Sequence, residues 1–245
     1  MTELGRMERA LACASLALLA SLTPARAAAA GTGTIVGHIR LQGTARANPI
    51  IRMGMDPACA ALRQGQRPTQ ELVLLDASGG LANAFVALRG TFPQTPVPST
   101  PVVIDQRGCL YTPRVVGARV GQVLQVRNSD QVLHNVHSGS RVTNTFNVGQ
   151  PIAGMSWDYR LTAEEVMLPL RCDVHSWMTA YVGVVSHPYF AVTSAGGGFE
   201  IDNVPAGDYP LQVWHEQFGL LARTVKVVTG RTVTVDLAFT GAEQH

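Results

Sequence analysis

The residues best suited to chemistry lie in one short stretch, residues 171–178. Cys172, His175 and Met178 follow the pattern Cys-x2-His-x2-Met, and a further imidazole, His134, opens an upstream His-Asn-Val-His run. Two imidazole nitrogens, one thiolate and one weak thioether are the donors of a blue-copper electron-transfer site, in which a long axial methionine completes a His2Cys plane. The four residues therefore predict a site for one copper ion that alternates between Cu(I) and Cu(II).

Zinc is the nearest competing metal, because it also binds cysteine and histidine. A thioether is a poor zinc ligand, and structural zinc sites usually contain paired cysteines. A single Cys or Met could equally be an ordinary core residue, since both are often buried for packing alone. Three donors within one seven-residue loop favour copper over either alternative.

Composition excludes several other functions. The chain has 245 residues, 46% of them hydrophobic, and 19 basic residues nearly balance 17 acidic ones, so nothing indicates nucleic-acid binding. Its seven histidines include no His-x-His pair, which multicopper oxidases need, and no second cysteine near Cys172 could support a binuclear copper site. Gly-x-Ser-x-Gly and phosphate-binding loops are also absent, so we expect no enzymatic activity.

The N-terminus predicts export. Arg6 and Arg9 precede an apolar run at residues 10–22, and an Ala-Arg-Ala cleavage site ends a signal peptide of residues 1–27. The run is too short to span a bilayer, and Cys13 lies inside it rather than after it, which argues against a lipoprotein. We expect a periplasmic protein with no transmembrane segment in the mature chain.

The cysteine count supports the site. Removal of the signal peptide leaves Cys59, Cys109 and Cys172, an odd number in an oxidising compartment. Cys59 and Cys109 can form a disulfide that closes a loop of about 50 residues and stabilises the fold by roughly 3–4 kcal/mol. Cys172 then stays free as a thiol, which a bound metal would protect.

From residue 31 onward the pattern is that of short strands separated by turns. Asp56-Pro57 is a helix start, and the sequence predicts one short helix at residues 57–64. Strands are predicted at residues 34–41, 71–75, 84–88, 102–104, 115–120, 123–126, 134–138, 180–186, 209–213, 224–228 and 232–239. Residues 162–165 could form a helical turn or a polar corner.

His137 needs separate treatment because it lies close to His134. On a strand, alternate residues share a face, so His134 and Val136 point one way while Asn135 and His137 point the other. We therefore expect His137 to be a surface residue or an opportunistic ligand, with a role just outside the ligands as a weaker alternative.

With these motifs, residues 102–185 resemble the cupredoxins, and most closely the amicyanin type, which shares the His-Asn-Val-His run and the short Cys-x2-His-x2-Met loop. The resemblance implies that His134, Cys172 and His175 are equatorial copper ligands and Met178 is the axial one. Asn135 and Asp173 would lie just outside the ligands, with Asn135 linking the two ligand loops.

The resemblance also implies an electron path. Electrons would pass through an exposed edge of His175, and Trp177 would either add apolar area to a small docking patch or pack in the core. The partner would be a redox protein such as a cytochrome or a dehydrogenase. This chain lacks the Gly-x-Tyr pattern common before the cysteine, and Arg171 in its place is either a surface charge or a tuner of the copper.

The C-terminal part has a different character. Residues 196–213 resemble a carboxypeptidase-regulatory or transthyretin-like module, a fold grouped with carbohydrate-binding-like domains. The whole chain resembles exported bacterial proteins labelled as methylamine-utilisation proteins. Among the polar and aromatic residues there, which are His187, Trp214, His215 and Glu216, we expect turn and surface roles.

The predicted fold is all-β: a Greek-key cupredoxin β-sandwich with an N-terminal β extension and a small C-terminal β-sandwich module packed on it. The predicted boundaries are residues 31–99 for the extension, 100–187 for the copper domain and 188–245 for the C-terminal module. The predicted function is type 1 copper electron transfer. The alternatives are a non-redox Cu(I) chaperone, store or sensor, and a β-sandwich module that binds carbohydrate or a protein partner.

Overall fold

The structure is a computed structural model, and it describes residues 31–241. The predicted signal peptide, residues 1–27, lies outside the described residues. Within the described range no helix combines the length and the hydropathy needed to cross a bilayer. Almost all of the regular structure is β.

Nine consecutive strands form a sandwich that we call the central sandwich. They are β3 (Val102–Gln106), β4 (Tyr111–Thr112), β5 (Val115–Arg119), β6 (Val123–Asn128), β7 (His134–Ser138), β8 (Asn147–Gln150), β9 (Ser156–Arg160), β10 (Glu165–Arg171) and β11 (Thr179–Val185). One sheet has the order β5-β11-β10-β7-β8 and the other the order β4-β3-β6-β9. Their inner faces meet in a core that includes Ile104, Leu124, Val136, Leu168 and Val182.

The remaining strands form a second sandwich, the terminal sandwich. They are β1 (Thr32–Leu41), β2 (Phe85–Leu88), β12 (Phe190–Val192), β13 (Gly198–Pro205), β14 (Gly207–His215), β15 (Gly219–Val227), β16 (Thr232–Thr234) and β17 (Leu237–Phe239). One sheet has the order β13-β1-β16, with β17 also pairing with β1, and the other has the order β12-β2-β14-β15. The two sandwiches together confirm the predicted all-β class, with one β-sandwich that contains the predicted ligands and an additional β module.

The terminal sandwich is formed by two segments that were predicted to be separate, the N-terminal extension and the C-terminal module. Strands β1 and β2 come from the predicted N-terminal extension, yet β1 pairs with β13 and β2 pairs with β14. Ile35 and Ile39 of β1 share a core with Leu211 and Val213 of β14. The extension and the C-terminal module are therefore halves of one sandwich, because β1 is the strand that joins β13 to β16 and β17, and β2 is the strand that joins β12 to β14.

The contact between the sandwiches is apolar and close. Phe85, Ala87, Val115 and Val185 form a third buried cluster, with Phe190 packed against it. Two paired glycines of β5 and β11 make this contact possible. A Cβ on Gly117 would overlap the ring of Phe190. A Cβ on Gly183 would overlap the ring of Phe85. The two sandwiches are thus packed directly on each other.

Local predictions are confirmed at most elements. Helix α1 (Pro57–Leu62) begins after Asp56, whose side chain accepts a hydrogen bond from the Cys59 N–H at 3.0 Å. The strand predicted at residues 71–75 is wrong, since Leu75 makes only an isolated bridge to Leu81. The strand predicted at residues 232–239 is divided into β16 and β17, both of which pair with β1. Residues 162–165 form the polar corner rather than a helical turn.

Candidate metal centre

The loop of residues 172–178 connects β10 to β11, which are antiparallel neighbours with Arg171 opposite Thr179. Its backbone closes on itself, because the Cys172 N–H bonds to the Met178 carbonyl at 3.2 Å and the Met178 N–H bonds to the His175 carbonyl at 2.9 Å. Strand β7, which begins at His134, pairs with the other edge of β10. The loop and His134 are therefore brought together by the sheet itself.

Three predicted ligands converge inside the protein. The donor atoms of His134, Cys172 and His175 all lie within 4.8 Å of one another. The two Nδ1 atoms are 3.0 Å apart, and the Cys172 Sγ lies 3.7 Å from the His175 Nδ1. The residues are 0%, 3% and 1% exposed, respectively. The structure thus brings two imidazole nitrogens and one cysteine sulfur together in a buried centre of the His2Cys type.

The fourth predicted ligand, Met178, is 1% exposed and packs in the core of the central sandwich. Its backbone hydrogen bonds to Cys172 and His175 place it at the base of the same loop. A thioether in the same core as Cys172 is a soft, weak donor, which suits copper better than zinc. The residues present therefore fit the predicted metal.

Two other groups of possible metal-binding atoms occur beside this centre in the described part of the chain: Cys59, Cys109 and His175, and Cys109, Asp130 and His134. The first group includes the sulfur atoms of Cys59 and Cys109 and the second that of Cys109, and these two cysteines form the predicted disulfide. Disulfide sulfurs are not thiolate ligands, since the thiolate is the form of cysteine that binds metals. Cys172 is the free cysteine of the described residues, and the centre that contains it has three available donors.

A carboxylate bonds to the Nε2 atom of each imidazole. The His134 Nε2 lies 3.0 Å from the Asp130 Oδ2, and the His175 Nε2 lies 2.8 Å from the Asp56 Oδ2. Asp130 also accepts hydrogen bonds from the backbone N–H groups of Gly108 and Cys109, at 2.7 and 2.8 Å. These contacts turn both Nδ1 atoms inward. Sequence reasoning missed both carboxylates, although Asp130 stands four residues before His134, a spacing that could have indicated it.

The same contacts set the charge states of the centre. Burial alone would raise the pKa of Cys172, but hydrogen bonds from His134 and from the backbone N–H groups around the loop lower it to about 7. Burial would lower the pKa of His134, but Asp130 and Cys172 outweigh this effect and raise it to about 8. A thiol that ionises near neutral pH is a ready ligand for a soft metal.

Asn135 connects the two ligand segments, as the resemblance implied. Its Oδ1 accepts a hydrogen bond from the Asp173 N–H at 2.6 Å, and its Nδ2 donates to the Asp173 Oδ2 at 3.0 Å. His137 points the other way, is exposed, and lies 3.1 Å from both carboxylate oxygens of Asp173. His137 is therefore a surface partner of Asp173, as the strand alternation predicted.

The expected exposed edge of His175 is wrong. The Asp56 carboxylate covers its Nε2, and the Cys59 Sγ lies 3.4 Å from the same nitrogen. Trp177 packs beside the ring with centroids 5.1 Å apart and donates its indole N–H to the Cys109 carbonyl at 2.9 Å. The cover comes from a segment more than 100 residues earlier, which the disulfide holds in place, so no local pattern around His175 could predict it.

The polar residues singled out in the C-terminal part have structural roles, but on buried positions rather than on the surface. The Nδ1 atoms of His187 and His215 each accept a backbone N–H two residues on, at 3.2 Å, which are turn roles as predicted. Both histidines are buried. Glu216 forms a buried ion pair with Arg114, and Trp214 packs against Tyr181 with ring centroids 4.9 Å apart. The last two contacts join the sandwiches.

Comparisons with known proteins give partial matches. A family model described as polysaccharide lyase family 4, domain II, matches residues 158–235. A purple cupredoxin from Nitrosopumilus maritimus is 26% identical over 31% of this chain and 81% of its own, with a TM-score of 0.28. A Cu(I) form of an amicyanin mutant is 18% identical over 40% of this chain and 97% of its own, with a TM-score of 0.31.

A copper-containing nitrite reductase from Thermus scotoductus SA-01 is 17% identical over 39% of this chain and 24% of its own, again with a TM-score of 0.31. No curated protein sequence matches this chain.

Proposed function

We propose that this protein is an exported, periplasmic electron carrier that binds one copper ion. His134, Cys172 and His175 would supply the equatorial ligands and Met178 the axial one. The observation that carries the proposal is the convergence of three buried donor atoms within 4.8 Å inside a β-sandwich. When bound, copper would supply a one-electron change between Cu(II) and Cu(I).

The residues around the centre support electron transfer because they hold the ligands in place. Internal hydrogen bonds close the loop of residues 172–178, Asn135 ties that loop to β7, and Asp130 and Asp56 orient the two imidazoles. Ligands that are held from outside in this way keep their geometry when the charge at the centre changes. Burial also excludes water from the donor atoms of the centre.

The burial also favours a carrier over a chaperone or a store. A chaperone gives up Cu(I) by ligand exchange with its partner, and that exchange needs an accessible ligand. His134, Cys172 and His175 are all at least 97% buried, and the exchange path past His175 is closed by Asp56 and the disulfide. We assign no catalytic role and no nucleic-acid partner, and we propose a redox protein as the partner.

The family match to a polysaccharide lyase domain does not lead us to propose glycan binding. The matched residues, 158–235, run from β9 to β16, so they include the ligand loop and strands of both sandwiches. The match omits β1 and β2, which complete the terminal sandwich. We propose that the terminal sandwich supports the central one.

The first test is the visible spectrum of the mature protein loaded with Cu(II) and then reduced. We expect an intense thiolate-to-copper band that bleaches on reduction and returns on reoxidation. The variant Cys172→Ser should lose this band and keep the wild-type far-ultraviolet circular dichroism, since serine is isosteric but is not a thiolate. Retention of the band in Cys172→Ser, or binding of Cu(I) alone with no colour on oxidation, would contradict the proposal.

A further inference from the structure

Residues 48–70, which we call the cap, cover the metal centre and carry a groove on their outer side. The cap contains a short 3-10 helix (Met53–Met55) and helix α1. The groove has a volume of about 760 Å³, and its apolar lining includes Ile50, Ile51 and Met53. Ile50 is 56% exposed, so a large aliphatic side chain is accessible in the open groove.

The rim of the groove is basic. Arg52, Arg63 and Arg67 all line it, and the cap has one acidic residue, Asp56. Asp56 points inward, because its two oxygens bond to the His175 ring and to the Cys59 N–H. The side chains of Arg52 and Arg67 form no hydrogen bond or ion pair with any other described residue, so their charge is available to a partner.

The groove also lies directly outside the metal centre. Helix α1 contacts the centre through Cys59, whose Sγ is 3.4 Å from the His175 Nε2, and it lines the groove through Ala60 and the residue at its C-terminal end, Arg63. The separation is therefore about one helix diameter, roughly 10–12 Å. The Cys59–Cys109 disulfide and the bond from the Arg63 Nε to the Gly108 carbonyl, 2.8 Å long, hold the helix in register with the centre.

We propose that this groove is the docking surface for an acidic redox protein. The inference rests on the proposed function and assigns its partner a chemistry: an apolar contact surrounded by carboxylates. Opposite charges steer such a partner to the correct face, and a small apolar centre allows it to leave quickly. The groove replaces the His175 edge, which the cap covers, as the place where electrons enter or leave.

The first experiment measures docking without using copper chemistry. The probe is hexacyanochromate(III), a paramagnetic trianion, added to the isotope-labelled protein with ascorbate present so that any copper is diamagnetic Cu(I). We expect selective broadening of the amide signals of residues 50–54 and 63–67. The variant Arg52→Glu/Arg67→Glu should lose this broadening. Broadening elsewhere on the surface, or unchanged broadening in the variant, would overturn the docking proposal.

A matched control is available in the terminal sandwich. Arg223 and Arg231 are exposed and do not line the groove, so Arg223→Glu/Arg231→Glu changes the net charge by the same amount outside the cap. This control should broaden like the wild type. If it loses the broadening as well, net charge rather than the groove binds the anion, and the proposal is overturned.

The second experiment uses a soluble acidic cytochrome as the electron donor. Mixed with the Cu(II) protein in a stopped-flow instrument, the ferrous haem loses one electron and the copper centre gains one, with no bond made or broken. We expect the second-order rate constant to fall about tenfold or more in Arg52→Glu/Arg67→Glu at low salt, and to change by less than about twofold in the control. The difference should shrink as salt screens the charges.

The outcomes separate the two proposals. If the wild type never accepts an electron, the proposed function is overturned and the docking proposal with it. If all three proteins accept electrons at equal rates, the proposed function stands and the docking proposal alone is overturned. A selective loss of rate in the cap variant, together with the loss of broadening, supports both.

Discussion

Asp130 and Asp56 orient the two imidazoles of the proposed copper centre. Each carboxylate bonds to the outward nitrogen of one histidine, at 3.0 Å for His134 and 2.8 Å for His175. A carboxylate in this position fixes the tautomer of the ring and makes the inward nitrogen a stronger donor. The affinity of the centre should therefore depend on residues that do not contact the metal.

Asp130→Asn tests this dependence. The substitution preserves shape but removes the charge that holds His134, so we expect the affinity for copper to fall about 10–100-fold. Affinity can be measured by competition with a chelator of known strength. The matched control is Asp158→Asn, an exposed carboxylate bonded to Gln125 on β9's outer face, which should bind copper like the wild type. Equal affinity in all three proteins would show that Asp130 does not act on the centre.

Met178→Leu tests the axial ligand. Leucine keeps the apolar volume of the buried side chain but cannot donate to copper, so the equatorial ligands and the colour should remain. Loss of a weak donor disfavours Cu(II) relative to Cu(I), and we expect the reduction potential to rise. Cyclic voltammetry of the two proteins measures the change. An unchanged potential would mean that the Met178 sulfur is not a ligand.

Among the elements, the β10–β11 hairpin and helix α1 contribute to the centre in different ways. The hairpin presents Cys172, His175 and Met178 from one loop, as the Cys-x2-His-x2-Met spacing predicts. Helix α1 makes the site an enclosed one by placing Asp56 and Cys59 against His175. The helix has six residues, too few to be stable in isolation, so its position depends on the disulfide and on the contacts beneath it.

Removal of the disulfide tests the role of α1. The double variant Cys59→Ala/Cys109→Ala opens a loop of 50 residues, and we expect the free energy of unfolding to fall by about 3–4 kcal/mol, measured by urea denaturation. Wild-type protein treated with a thiol reductant should fall to a similar stability. The variant should also bind external imidazole at the copper faster, because the cover over His175 loosens. A variant as stable and as slow to exchange as the wild type would contradict this role of the cap.

For the whole molecule, the first and last described strands belong to one sandwich, and the strands that contain the predicted ligands are inserted between its halves. Strand β1 lies between β13 and the pair β16 and β17, so the first described strand is a central one. The two sandwiches meet at the Phe85 cluster and at the buried Arg114–Glu216 ion pair. The terminal sandwich should therefore unfold as a unit that includes both β1 and β17.

Ile39→Ala tests this unit. Ile39 is fully buried in β1, and its truncation should cost about 2–5 kcal/mol. If β1 and β14 share one core, hydrogen exchange at β14 should speed up about 30-fold or more, while β7 and β10 keep their protection. The counterpart Ile104→Ala, fully buried in the central sandwich, should have the reverse effect. Faster exchange in β1 alone would contradict a shared unit.

Much of the local structure was predictable from the sequence because it depends on neighbours. The alternation of β1, the Asp56 cap of α1 and the strand at His134 all follow from near-neighbour patterns, and each is confirmed. The strand predicted at residues 71–75 failed because β propensity alone does not supply a pairing partner. The odd number of cysteines also led to the correct prediction of one long-range contact, the Cys59–Cys109 disulfide.

The predicted donor set could be derived from the sequence, because three of the four donors lie in one loop and their chemistry depends on residue type and spacing. The surroundings of those donors depend on long-range contacts that are visible only in the folded protein. Asp56 reaches His175 across 119 residues, and β1 meets β16 and β17 across about 200, and no local periodicity encodes contacts of that range. Those contacts bury the edge of the His175 ring, so the cap is the surface that a partner can reach. The segment that covers His175 is distant in sequence, because a buried site is covered by whichever segment packs against it in the fold.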